Sequence, residues 1–153
     1  MSEPSPFKYE KADDSAGFLL WKITALWRKR LENVLSNFCI TQTQYAILAS
    51  LKWFEVKKEP TTQAHLSEHT KIEKMTISKA IRQLEKNGLV RRKPSSVDSR
   101  ATNVYLTTQG MMVIDKAIIA IENADEKFFS CLNEKQIETY KSLTSTVIIN
   151  NGL

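Results

Sequence analysis

The chain has 153 residues, with 22 Lys and Arg against 17 Asp and Glu, a formal charge of +5. That length suits one domain with appended helices and a real core, and an apolar content of 42% excludes wholesale disorder. No apolar run approaches the ~18 residues needed to span a bilayer, so no membrane partner is expected, and two cysteines make neither a disulfide framework nor a paired metal site.

Residues 1–12, with Pro4 and Pro6, read as an extended arm. The first residues lack the basic and apolar segments of a signal peptide, so a reducing cytoplasm is expected. From about Asp13 to Phe38, Leu20, Ile23, Trp27, Leu31, Val34 and Phe38 recur at three- and four-residue steps and predict one long amphipathic helix. Phe18, Leu19, Trp21 and Leu26 lie off that stripe. A helix with more than one apolar face buries against more than its own domain, a first sign of a dimer.

Thr41 with Gln44 forms a capping box that opens a second helix through Leu51–Trp53, with Tyr45, Leu48 and Leu51 inward, and Glu55–Pro60 breaks it. Thr61 or Thr62 caps a short helix carrying Leu66, and Thr70–Ile72 turns into a helix from Glu73 to Lys86. Ile77, Ala80, Ile81 and Leu84 share one face of it, with Met75, Lys79, Arg82 and Lys86 near the opposite face. Asn87-Gly88 supplies a left-handed stop, and Leu89 folds back on the last turn. Two short strands follow, joined by Pro94–Arg100. Thr107 caps a long helix to about Leu132, and Asn133 with Gln136 caps a last one towards Ile149.

A short basic helix followed by a cationic hairpin is the layout of a winged helix-turn-helix. The charge agrees. Between Thr61 and Arg100 stand nine Lys and Arg and four Asp and Glu, while the rest of the chain carries thirteen of each sign. The whole positive excess sits in one stretch, as a polyanion-binding surface requires. The fold class expected is mostly α with a small β-hairpin wing.

Three segments carry a family resemblance: Thr76–Arg92, with its leucine-to-glycine exit at Leu84–Gly88, Asp98-Ser99-Arg100, and Leu106-Thr107-Thr108-Gln109-Gly110. At this spacing, with long helices on both sides, the chain resembles the MarR family of bacterial transcription regulators over nearly its whole length. The resemblance implies a homodimer on a pseudopalindromic operator in double-stranded DNA, most simply as a repressor. Residues 41–107 would form the winged DNA-binding domain, with 13–40 and 108–153 the dimerisation helices. A two-fold dimer would set two recognition helices about one duplex turn (~34 Å) apart.

On the recognition helix, Lys74, Thr76, Lys79, Arg82 and Gln83 are the candidate DNA contacts: Arg82 or Gln83 for a purine edge, the lysines as point charges on phosphate. The plain alternative is a solvated helix face. Arg91, Arg92 and Lys93 supply wing or backbone charge, with Arg92 a candidate DNA contact. Arg100 reaches the minor groove or holds the loop through Asp98, the wing-stabilising residue that the resemblance implies.

His65, Glu68 and His69 match a metalloprotease pattern, because histidines four apart share a helix face. A zinc-dependent hydrolase or metal sensor built on them is the competing hypothesis, against two surface histidines on the first helix of the helix-turn-helix. No cofactor and no catalysis are expected. Cys39 and Cys131 are read as packing thiols rather than redox sensors, because Ala16–Trp21 lacks the cysteine that peroxide-sensing relatives carry there. Trp21, Trp27 and Trp53 are candidate lining for a small aromatic effector between the dimer helices and the winged domain; the alternative is that they are core.

Overall fold

The computed structural model describes residues 4–152; residues 1–3, part of the expected arm, lie outside the described residues. The described residues form six α-helices and one two-stranded antiparallel sheet. After a short 3-10 turn at Ala12–Asp14, helix α1 spans Ala16–Leu35, with the Ser15 hydroxyl accepting from the Phe18 N–H at its start. Helix α2 spans Gln42–Val56 and opens on the expected capping box: Thr41 Oγ1 accepts from the Gln44 N–H at 3.1 Å, and Gln44 Oε1 accepts from the Thr41 N–H at 3.0 Å. It ends at Val56, three residues past the expected Trp53, before Lys58 takes a left-handed φ of 57°.

Helices α3 (Gln63–Thr70) and α4 (Lys74–Lys86) form the helix-turn-helix, packed on α2. Strands β1 (Val90–Pro94) and β2 (Thr102–Leu106) pair in the register Arg92↔Val104. Helix α5 (Thr108–Phe128) packs on α1 and α2, and α6 (Glu134–Asn150) follows a second capping box at Asn133 and Gln136. α5 ends four residues before the expected Leu132. Ser130 and Leu132 donate backwards into the last turn, closing the corner that turns the chain into α6.

The core lies where the winged domain meets α1 and α5. Leu35, Ile47, Leu48, Leu66, Ile77, Ile81, Leu84, Val90, Val104 and Ile114 are essentially fully buried. Leu48, Leu66, Ile77, Ile81, Leu84 and Ile114 hold the expected inward positions of their helices, joined by Val90 and Val104 from the hairpin, whereas Leu20, expected inward on the first helix, is exposed and Leu35 is buried there instead. The outer helices differ. α6 has no buried residue, and Leu143, Val147, Ile148 and Ile149 stand exposed on it. Leu19, Leu20, Trp21 and Leu26 stand exposed on α1. Among the described residues no helix is long and apolar enough to cross a membrane.

Candidate nucleic-acid interface

The helix-turn-helix is fixed by its turn. Lys71 adopts a left-handed φ of 57° to end α3. Around it Ser67 Oγ donates to the Ile72 carbonyl at 2.7 Å, and Thr70 Oγ1 donates to the Leu66 carbonyl at 2.6 Å while accepting from the Ile72 N–H at 3.3 Å. Small hydroxyl residues here replace the backbone partners that a change of direction removes. The angle between α3 and α4 is thus set by hydrogen bonds as well as by the buried Leu66 and Ile77.

Helix α4 is sharply two-sided. Ile77, Ile81 and Leu84 are buried, and Lys74, Met75, Thr76, Lys79, Arg82, Gln83 and Lys86 are exposed. Among the described residues, no carboxylate lies within ion-pair distance of Lys74, Lys79, Arg82 or Lys86. Their field therefore reaches outward instead of closing on the protein itself. Gln83 is less free, since its amide donates to Asn87 Oδ1 at 3.1 Å.

The exit from α4 aims the hairpin. Gly88 takes φ +76°, which favours glycine, and the Leu89 N–H returns to the Leu84 carbonyl at 3.0 Å. Both edges of the hairpin are then pinned at one rung. The Arg92 N–H donates to Glu85 Oε2 at 2.9 Å, and across the pair the Val104 N–H donates to the Thr61 carbonyl at 2.9 Å. Arg92 Nε and Nη2 also reach Glu85 Oε1, at 3.0 and 2.9 Å. These hydrogen bonds from the Arg92 side chain and backbone hold the Glu85 carboxyl below the usual carboxylate range. Arg92, expected as free wing charge, is instead engaged as a strut between α4 and β1.

At the loop, Ser95 Oγ accepts from the N–H groups of Val97 and Asp98, and Asp98 Oδ1 accepts from the Arg100 N–H at 3.0 Å and from its Nε at 3.4 Å. Arg100 nonetheless leaves 90% of its side chain in solvent. The carboxylate orients the guanidinium without burying it, so most of its donors stay open. Lys93 lies over the Tyr105 ring at 6.0 Å to the centroid.

The other candidates fare unevenly. Trp21 is 75% exposed on α1, Trp53 is 56% exposed with Lys57 over its ring at 4.7 Å, and Trp27 packs edge-on against Phe128 at 5.3 Å. The protomer brings no two of them together. A groove of about 1040 Å³ lies instead between α1 and the α5–α6 corner, lined by Leu26, Arg30, Phe128, Phe129, Leu132 and Tyr140 among others. His65 and His69 both meet the Phe54 ring, at 6.4 and 5.0 Å between centroids. Among the described residues no three His, Cys, Asp or Glu side chains are grouped to hold a metal. Cys39 and Cys131, expected to pack, are both exposed; Cys39, at a left-handed φ of 55°, ends the 3-10 turn Ser36–Phe38 that follows α1, and Cys131 lies in the α5–α6 corner. The sequence reading missed the Glu85–Arg92 strut. Its signal was an acid on an otherwise cationic helix, seven residues before an arginine.

With this geometry in view, the model of the MarR family matches residues 40–102, from α2 to the start of β2. The HTH-type transcriptional regulator YdcH of Bacillus subtilis is 30% identical over 129 residues, covering 84% of this chain and 88% of that protein. The chain belongs to the MarR family. A probable transcriptional regulator from Pseudomonas aeruginosa superposes with a TM-score of 0.79 at 25% identity, covering 90% of this chain and 99% of its own. The MepR protein of S. aureus in complex with DNA gives 0.81 at 21% identity, covering 92% and 99%, a likeness of fold. The two-stranded hairpin after α4 is thus the wing of a MarR-type winged helix. The chain is a transcription regulator of this type, and its relatives are not enzymes, which removes the zinc-hydrolase alternative.

Proposed function

We propose that the protein binds a pseudopalindromic operator in double-stranded DNA as a homodimer and represses transcription, within the cytoplasm. The observation that carries this reading is the outer face of α4, where Lys74, Lys79, Arg82 and Lys86 project without acidic partners beside a hairpin ending in the exposed Arg100. Four exposed cations gathered on one helix face form a concentrated positive patch. Charges serving a polyanion are left open until it arrives. Lys74, Thr76, Lys79, Arg82 and Gln83 are assigned to the major groove and its phosphates. Arg100 is assigned to the minor groove, held by Asp98, and Arg92 serves the interface mainly by fixing the wing.

The division of labour follows the elements: residues 41–107 for DNA, and 13–40 with 108–153 for dimerisation. The exposed apolar residues of α1 and α6 support the second assignment, since two helices standing wet on a monomer find cover on another copy. A small aromatic effector would act by changing the spacing of the two recognition helices. Among the three tryptophans, Trp27 fits such a role best, because it supports the Phe128 ring that lines the α1–α5 groove. The test is a shift assay on the intergenic DNA beside the gene, with sedimentation of the free protein. The reading expects a salt-sensitive complex of two protomers per site; a monomer at micromolar concentration that ignores duplex DNA would overturn it.

A further inference from the structure

Met75 is the one large apolar side chain on the outward face of α4, and it is 78% exposed. It occupies the first turn, at the centre of the stripe formed with Lys79, Arg82 and Lys86, and directly opposite the buried Ile77, Ile81 and Leu84. The exposed apolar side chains of α1 and α6 cluster, so that a second copy can cover several at once, while Val56, Val97, Met112 and Ile119 stand elsewhere, off the recognition helix. Met75 has no such company. A lone thioether among cations is too small a patch for a protein partner.

The surface that fits is anionic along its edges and carries isolated methyl groups on its floor. That is the major groove of duplex DNA, where thymine alone displays a C5-methyl. The first turn of a recognition helix is also the part that reaches base edges. We propose that Met75 reads a thymine, its flexible thioether packing on the C5-methyl while Lys79 and Arg82 hold the flanking backbone. The inference rests on the DNA-binding reading above and adds to it a base identity at one position of each half-site.

The test begins with a duplex that the protein itself selects from a random-sequence pool. Each thymine of one half-site is then replaced by deoxyuridine, which deletes a methyl and leaves every hydrogen-bonding group in place. Wild-type protein should lose affinity about fourfold at one position, the effect of unburying one methyl-sized group. Met75→Ala, an exposed and helix-compatible change that circular dichroism can show to be folded, should bind the thymine and uracil duplexes equally. No sensitive thymine, or the same sensitivity in Met75→Ala, overturns the inference while DNA binding stands. Failure to select or shift any duplex removes the DNA-binding reading, and this inference with it.

Discussion

Replacing Gly110 by Ala tests how the wing is attached to α5. Gly110 sits in the first turn of α5, and a Cβ built there would lie 2.0 Å from the Leu89 carbonyl oxygen and 2.9 Å from its carbon. That carbonyl cannot swing aside, because it accepts the Thr107 N–H at 3.1 Å while Thr107 Oγ1 donates to the neighbouring Gly88 carbonyl at 2.6 Å. Restoring ordinary van der Waals separation, 3.4 Å or more from 2.0 Å, needs the helix start to withdraw from the hairpin root by at least 1.4 Å. Overpacking of this kind costs about 1–3 kcal/mol, and loss of a hydrogen bond adds about 1 kcal/mol. Helix propensity returns about 1 kcal/mol on going from glycine to alanine. The net is a destabilisation of about 2 kcal/mol, or a fall in Tm of roughly 4–8 °C for a chain of this size. Gly17→Ala is the matched control. Its new Cβ would meet nothing closer than Ser15 Oγ at 3.8 Å, so the same chemistry should raise stability by up to ~1 kcal/mol. Thermal and denaturant unfolding of both variants decides the matter. If Gly110→Ala melts with or above the wild type, the hairpin root is not the rigid joint described.

Glu85→Gln tests the strut to Arg92. The Glu85 carboxyl is held below its usual range, first by the Arg92 side-chain hydrogen bond and then by the Arg92 N–H, so its stabilising effect is present at neutral pH and is lost as pH falls through the lowered value. The variant should be less stable than wild type at pH 7, with the gap closing below about pH 4; a gap independent of pH would rule the strut out as its source. Lys79→Gln and Arg100→Ala should each weaken operator binding and flatten its log–log salt dependence by about 0.9 for each phosphate no longer neutralised. Unchanged slopes in both would place these side chains away from the backbone. Leu143→Glu with Val147→Glu should separate the protomers. In the proposed dimer each side chain, 63% and 61% exposed on one protomer, would add about 1 kcal/mol of burial and the two-fold axis would repeat the loss, so the dimer Kd should rise by about three orders of magnitude. Sedimentation at micromolar concentration reads the outcome directly.

The elements and their inner faces were legible in the sequence because local rules govern them. Thr41 with Gln44 and Asn133 with Gln136 form the capping boxes that their spacing predicts, and Gly88 holds the left-handed stop. Ile77, Ile81 and Leu84 are buried as a three- and four-residue periodicity requires. Helix ends were less legible where hydrogen bonds rather than side-chain types decide them, as at Phe128 and Val56. Side-chain pairing across elements could not be read at all. The engagement of Arg92 by Glu85, the separation of the three tryptophans and the exposure of both cysteines depend on how helices and hairpin meet.

By itself, the order of residues determined a winged helix-turn-helix and put its charge on one segment, since periodicity, caps and net charge are carried by neighbours along the chain. Tertiary structure decided which of those charges are spent inside the protein and which remain open. Glu85 and Arg92 close on each other across seven residues, whereas Lys79 and Arg82 meet no carboxylate among the described residues. An ion pair needs two side chains within a few ångströms, a distance set by packing between elements and not by position in the chain.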